Sequence, residues 1–88
     1  MDMSLELDVR RRRALYRAGH RGMKELDLLL SQFARARIAD MNELELCQFE
    51  ALLELPDPQL HGWLVSLEPP VSDDVPKFVG AVRAYHGL

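Results

Sequence analysis

The fold class is decided by residues 21–38, which read RGMKELDLLLSQFARARI. Apolar residues recur along this stretch at intervals of three and four, the spacing of one buried face of an amphipathic helix. They are Met23, Leu26, Leu29, Leu30 and Phe33. Alternation typical of a strand is absent from the chain. The sequence therefore predicts a long second helix from Arg21 to Ile38.

The first and third predicted helices lie on either side of it. The first, Asp8–Ala18, is mostly arginine, stops at Gly19, and contributes Val9, Leu15 and Tyr16 as its apolar residues. The third begins at Asn42, and Glu45 three residues later completes the spacing of a capping box. Its predicted core face is Leu46, Phe49, Leu52 and Leu53.

Two more helices complete the prediction. The fourth begins at Asp57 as N-cap, with Pro58 in the first helical position, where the fixed φ of proline suits a helix. Its stripe is Leu60, Trp63, Leu64 and Leu67, and Pro69 and Pro70 end it. The fifth begins between Ser72 and Pro76 and ends before Gly87, with a stripe of Val75, Phe78, Val79 and Val82 and Tyr85 beyond. Five helices with short connections predict an all-α, compact five-helix bundle.

The length of 88 residues makes this one domain, 1–88, whose residues 1–7 we expect to form a flexible N-terminus. A core of this size favours a shallow working surface over a deep catalytic cleft. The single Cys47 cannot form an internal disulfide, and its apolar neighbours predict a core position. Acidic residues near the start argue against a signal peptide, and no apolar run reaches the length of a membrane span. The expected location is the bacterial cytoplasm.

Charge is divided unevenly along the chain. Residues 1–37 carry a net charge of +4 and residues 38–88 a net charge of −7. Such a dipolar molecule suits oriented docking on a charged partner. The Arg10–Arg13 run also admits a nucleic-acid-binding interpretation, or a merely solvated helix face. The overall net charge of −3 and the scarcity of aromatic residues among the arginines speak against nucleic acid.

Residues that could support catalysis or metal binding are scattered. His20, His61 and His86 fall in different predicted elements without the spacing of a metal motif. No nucleophile–base pair or pair of carboxylates can be picked out either, and Trp63 is predicted to be a core anchor. We therefore expect neither a metal site nor an independent enzyme.

The segment from His20 to Asp27 breaks local rules. Gly22 would stand at the start of a long helix, where Ser, Asp or Asn caps better and Ala forms helix better. Arg21 would place positive charge at the positive end of the helix dipole. Choices that local stability does not explain are expected at functional positions. A purely structural role of Gly22 in shaping the turn between helices one and two is the alternative.

Two blocks of the sequence resemble the succinate dehydrogenase assembly factor family, the flavinylation factors called SdhE in bacteria. The first block is YRAGHRGMKELDLLL, residues 16–30, and the second is FEALLELPDP, residues 49–58, followed by Leu60 and Trp63. The likeness covers about residues 10–70. The family motif Arg-Gly-x-x-Glu corresponds to Arg21, Gly22 and Glu25, and His20 stands where many members have a second basic residue.

The resemblance implies a five-helix bundle that binds the flavoprotein subunit of succinate dehydrogenase or fumarate reductase and promotes its covalent flavinylation. FAD would be the cofactor attached to the partner and would not be held stably by this chain. We predict one partner-binding site, formed by Arg17, His20, Arg21, Gly22, Met23, Glu25 and Asp27. The competing hypotheses are a nucleic-acid-binding module and an antitoxin-like regulator.

Overall fold

The computed structural model describes residues 3–66 and 77–88, with side chains from Glu6 onward. This part of the chain forms five α-helices and no strand: α1 (Met3–Ala18), α2 (Lys24–Arg37), α3 (Glu43–Leu53), α4 (Asp57–Leu64) and α5 (Lys77–His86). A single 3-10 turn, Ile38–Asp40, follows α2. The predicted all-α, five-helix architecture is confirmed.

The helix α2 occupies the centre of the bundle, in contact with α1, α4 and α5. Its stripe of Leu26, Leu30 and Phe33 is buried as predicted. The ring of Phe33 packs at centroid distances of 5.9 and 6.0 Å from Phe49 of α3 and Phe78 of α5. Large apolar residues of α2, α3 and α5 therefore meet around one core, and α4 adds Leu60, Trp63 and Leu64 to it.

The start signals of the later helices are only partly as predicted. At α3 both bonds of the capping box form, with Glu45 N donating to Asn42 Oδ1 at 2.8 Å and Asn42 N to Glu45 Oε1 at 3.1 Å. At α4 the N-cap is Pro56, so Asp57 is the first helical residue and makes no capping bond. The predicted end of the fourth helix at Pro69 and Pro70, the predicted beginning of the fifth within Ser72–Pro76, and the stripe residues Leu67 and Val75 lie outside the described residues. Gly87 follows α5 with a φ of +70°.

The first helix differs most from its prediction. It begins at Met3, five residues before Asp8. Val9 and Tyr16, expected to be its apolar contribution, are 43% and 64% exposed, and the small side chains of Ala14 and Ala18 are buried instead. Small residues let two helix backbones approach closely. A Cβ on Gly19 would lie 3.4 Å from the Cβ of Ser31 in α2, so the end of α1 runs close against α2.

None of the helices in the described ranges combines the length and the apolar composition that crossing a membrane requires.

Candidate functional site

The predicted site extends from Arg17 in the last turn of α1, through the turn between α1 and α2, residues 19–23, to the first turn of α2. Gly22 is exposed and has a φ of +96°, a conformation that a side chain disfavours. The α-helix begins only at Lys24, and the carbonyl of Met23 accepts the hydrogen bond of Asp27 N at 2.8 Å. The premise that Gly22 and Arg21 sit poorly within a helix is therefore wrong, because both precede it.

Glycine at position 22 thus has a conformational reason. At the same time, apart from its two neighbours in the chain, no described residue has an atom within 4 Å of the place where its Cβ would be. The turn needs glycine for its backbone angle, and the space beside it is open to another molecule. The structural explanation of Gly22 is therefore confirmed by its φ, and its contact with a partner stays a prediction.

Arg21 points into the molecule and ties two turns together. Its guanidinium donates from Nε to Asp57 Oδ1 at 2.8 Å, from Nη1 to the carbonyl of Leu53 at 2.7 Å and from Nη2 to the carbonyl of Leu55. Its side chain is only 11% exposed. The backbone N–H of Arg21 donates to Asp27 Oδ1 at 2.8 Å. The structure therefore gives Arg21 and Asp27 internal bonds that the sequence argument did not foresee.

Those bonds bring together the two blocks of sequence that carry the family resemblance. Asp57 lies 36 residues after Arg21 in the chain, and its carboxylate, expected to cap α4, pairs with the arginine instead. Arg17 makes a second link, from Nη2 to Glu54 Oε1 at 2.6 Å. The α1–α2 turn and the α3–α4 turn, residues 54–56, consequently form one end of the bundle.

Glu25 and His20 lie on the surface at this end. The carboxylate of Glu25 is 66% exposed and lies 3.5 Å from Nε2 of His61 in α4. His20 is exposed, stacks on the Tyr16 ring at a centroid distance of 3.9 Å and has Nδ1 2.7 Å from the Tyr16 carbonyl. Met23 packs against the core with part of its side chain exposed. The exposed members of the predicted site are therefore His20, Gly22 and Glu25.

The Arg10–Arg13 run does not form a single basic stripe. Arg10 donates to Glu50 Oε1 at 2.6 Å and Arg11 to Asp8 Oδ1 and the Met41 carbonyl, each at 2.8 Å. The hydrogen bond to Glu50, with a smaller contribution from Cys47, raises the pKa of Arg10 above its ordinary value. Arg10 and Arg11 of this run are thus engaged in bonds within the protein, which weakens the basis of the nucleic-acid interpretation.

The core position predicted for Cys47 is wrong. The residue is exposed, and its Sγ accepts from Arg10 Nη2 at 3.1 Å. It directly follows Leu46, which belongs to the buried face of α3. At about 100° per residue, Cys47 lies roughly 100° from Leu46 and roughly 160° from Phe49 around the axis of α3, so helical spacing alone already places it outside the buried face.

A family model described as "Flavinator of succinate dehydrogenase" matches residues 12–86. The chain belongs to this family. The match includes both halves of the end of the bundle just described, which the Arg21 bonds hold together.

Curated relatives agree with this assignment. A protein of Acetobacter pasteurianus named FAD assembly factor SdhE is 47% identical over 58 residues, 66% of this chain and 53% of the relative. A Dictyostelium discoideum protein named succinate dehydrogenase assembly factor 2, mitochondrial, is 38% identical over 60 residues, 68% of this chain and 43% of the relative. The flavinator chain thus spans about half the length of these relatives or less. No solved structure matches it. The relatives' names give no support to the nucleic-acid-binding or antitoxin-like alternatives.

Proposed function

We propose that this flavinator-family chain binds the flavoprotein subunit of succinate dehydrogenase, or of fumarate reductase, and promotes covalent attachment of FAD to that subunit. The observation that carries the proposal is the joining of the two signature blocks at one end of the bundle by Arg21. The exposed residues His20, Gly22 and Glu25 lie at that end. The family membership and the names of the relatives supply the reaction.

The residues of the predicted site then divide into two roles. Arg21 and Asp27 are positioning residues, since their bonds hold the α1–α2 turn in place. Gly22 allows a partner backbone to come close, and Glu25 offers a carboxylate to a partner base. Arg17 and Met23 lie beside these contact residues, and Arg17 is held there by its bond to Glu54. We place the docking of the partner on this end of the bundle.

The proposed mechanism is a shift of population. FAD and the side chain that it joins must be held in attack geometry, and much of the barrier to such a reaction is positional. A small protein that binds the reactive conformation of the flavoprotein more tightly than its other conformations raises the population of the reactive one. The bond-forming chemistry belongs to the flavin and the flavoprotein, so this chain would act without being an enzyme. A bacterial cytoplasmic setting, like that expected from the sequence, completes the proposal.

The test is reconstitution with purified flavoprotein subunit lacking covalent flavin. The subunit is incubated with FAD, with and without this chain, then denatured, and the flavin fluorescence that stays with the polypeptide is measured. We expect the chain to increase that fluorescence several-fold. Equal covalent flavin in both samples would contradict the proposal.

A matched pair of variants tests the assignment of Glu25. Glu25→Gln and Glu43→Gln each remove one exposed carboxylate from the first turn of a helix, α2 and α3 respectively. We expect Glu25→Gln to reduce the flavinylation rate and Glu43→Gln to leave it unchanged. Equal rates for the two variants would remove Glu25 from the contact surface while leaving the function in place.

A further inference from the structure

A groove of about 660 Å³ runs between α1 and α2 beside Gly22. Its lining comes from positions 12, 15 and 16 of α1, from positions 19, 20 and 22 of the turn that follows, and from positions 24, 27, 28, 31 and 35 of α2. The apolar side chains of its floor are Leu15, Tyr16 and Leu28. Tyr16 is 64% and Leu28 49% exposed to solvent, and Leu15 is partly buried. These large apolar side chains lie in contact with water in the isolated chain.

The rim of this groove is basic. Arg12, Lys24 and Arg35 are exposed, and none of them forms an ion pair with any residue of the described part of the chain. The one acidic residue of the lining, Asp27, accepts from the Arg21 backbone. Asp27 forms no ion pair with the three cations. Three cations and one carboxylate leave the lining with a net charge of +2, beside exposed apolar surface.

The paired arginines of the same helix lie elsewhere. At 100° per residue, Arg10 and Arg17 share one face of α1, and both reach carboxylates of the α3 side at 2.6 Å. Arg12 lies roughly on the opposite face. Arg10 and Arg17 therefore stabilise the fold through ion pairs, whereas Arg12 in the groove forms none with the described residues.

Taking the proposed function as its basis, we propose that this groove docks an acidic segment of the flavoprotein partner. Carboxylates of that segment would meet Arg12, Lys24 and Arg35, and an apolar side chain between them would cover Leu28 and Tyr16. Complementary charge of this kind steers association and fixes register. A nucleic acid fits less well, because the net charge of the chain is −3, which repels a polyanion.

Charge reversal at the rim tests the electrostatic half of the proposal. Lys24 is the first residue of α2, where an acidic residue interacts favourably with the helix dipole, so Lys24→Glu preserves the fold. Lys24→Glu should weaken the affinity of the whole protein for the purified flavoprotein subunit by about 10-fold or more at low salt, because like charges in an interface are strongly disfavoured. The matched control is Arg13→Glu, an exposed neighbour outside the groove, which should change affinity by less than about 3-fold.

A second pair of variants tests the apolar half. Leu28→Gln removes an exposed leucine from the groove floor, and Leu44→Gln removes one that is 67% exposed on α3 and away from the groove. We expect Leu28→Gln to weaken binding by about 10-fold and Leu44→Gln to have no effect. Because both residues are exposed, both variants keep the fold, which circular dichroism verifies.

The outcomes separate this inference from the proposed function. If the wild-type chain binds and promotes flavinylation, yet Lys24→Glu and Leu28→Gln behave like their controls, the groove is not the docking surface and the proposed function stands. If the wild-type chain neither binds the subunit nor increases covalent flavin, both fail together. If random single-stranded RNA binds more tightly than the flavoprotein, and Lys24→Glu abolishes that binding, the occupant is a nucleic acid and the inference is overturned.

Discussion

Arg17 and Arg12 lie on different faces of α1 and differ in what surrounds their guanidinium groups. Arg17 bonds to Glu54 Oε1 at 2.6 Å, whereas Arg12 lines the groove between α1 and α2 and has no ion-pair partner among the residues that the structure describes. Two residues of one type in one helix therefore have separate tasks. One joins α1 to α3, and the other remains available to a partner.

The same division occurs on either side of Gly22. Arg21, just before it, is 11% exposed and bonded to the α3–α4 turn, while Lys24, just after it, is exposed in the groove. A basic stretch can thus supply both stability and recognition, because the acidic partners come from a distant part of the chain. The predictions below test this division, beginning with the residue on which the fold depends most.

Replacing Arg21 should have the largest effect on stability. Arg21→Met removes three side-chain hydrogen bonds and leaves two carbonyls and Asp57 without their donor. We expect a loss of about 2–4 kcal/mol in the free energy of unfolding, since bonds from a charged group are strong and their partners stay desolvated. Urea denaturation measures it.

Two further variants serve as controls for Arg21. Arg21→Lys keeps the charge but cannot reproduce the fork of donors, so its stability should lie between wild type and Arg21→Met. Arg12→Met removes an arginine that has no ion-pair partner among the described residues, and it should change stability by less than about 0.5 kcal/mol. Similar losses for Arg21→Met and Arg12→Met would abolish the distinction between internal and available arginines.

Gly22 and Gly80 provide a second test, with effects of opposite sign. At both positions the place of a Cβ is more than 4 Å from every described residue beyond the immediate chain neighbours and the local helix backbone. However, Gly22 has a φ of +96° and Gly80 lies inside the helix α5. Gly22→Ala should cost about 1–2 kcal/mol because an L residue disfavours this conformation. Gly80→Ala should gain about 0.5–1 kcal/mol because alanine loses less entropy in a helix.

Thermal unfolding of the two glycine variants decides the point. Gly22→Asn supplies the link to binding, since asparagine tolerates positive φ better than alanine. If Gly22→Asn keeps near-native stability but loses flavoprotein binding, Gly22 contributes a close contact as well as a turn. A stabilising Gly22→Ala would contradict the conformational role of this glycine.

Local signals account for most of the fold. The apolar spacing of α2 through α5 placed the buried leucines and phenylalanines correctly within the described ranges, and Asn42 with Glu45 marked the start of α3. These predictions succeed because periodicity and capping depend on residues three or four apart. They fail at α1, where Ala14 and Ala18 are buried, because close helix packing selects small side chains as readily as large ones.

The site was harder to predict than the fold. The sequence singled out Arg21 and Gly22 as unusual because it placed them at the start of the second helix. In the structure that helix begins only at Lys24. Asp57 could be read only as a helix cap, because nothing local pairs it with a residue 36 positions earlier. The groove was missed altogether. It depends on how two helices approach each other at Gly19, and the only hint in the sequence was the basic character of residues 1–37.

The smallest expected effect concerns Arg17, which is paired near the surface of the bundle. Its side chain is 37% exposed and that of Glu54 70%, so solvent screens the pair and its contribution should be below about 1 kcal/mol. Arg17→Gln should therefore destabilise slightly at low salt, and Arg12→Gln should not. The difference should vanish near 1 M salt, where the screening length falls to about 3 Å.

A double-mutant cycle of Arg17→Gln with Glu54→Gln isolates the pair energy, and flavoprotein affinity measured on the same proteins completes the comparison. We expect Arg12→Gln to weaken binding without changing stability, and Arg17→Gln to change stability slightly with little effect on binding. If instead Arg17→Gln weakens binding as much as Arg12→Gln, the α3-facing side of α1 also contacts the partner. The docking surface would then extend across the end of the bundle from the groove to Glu54.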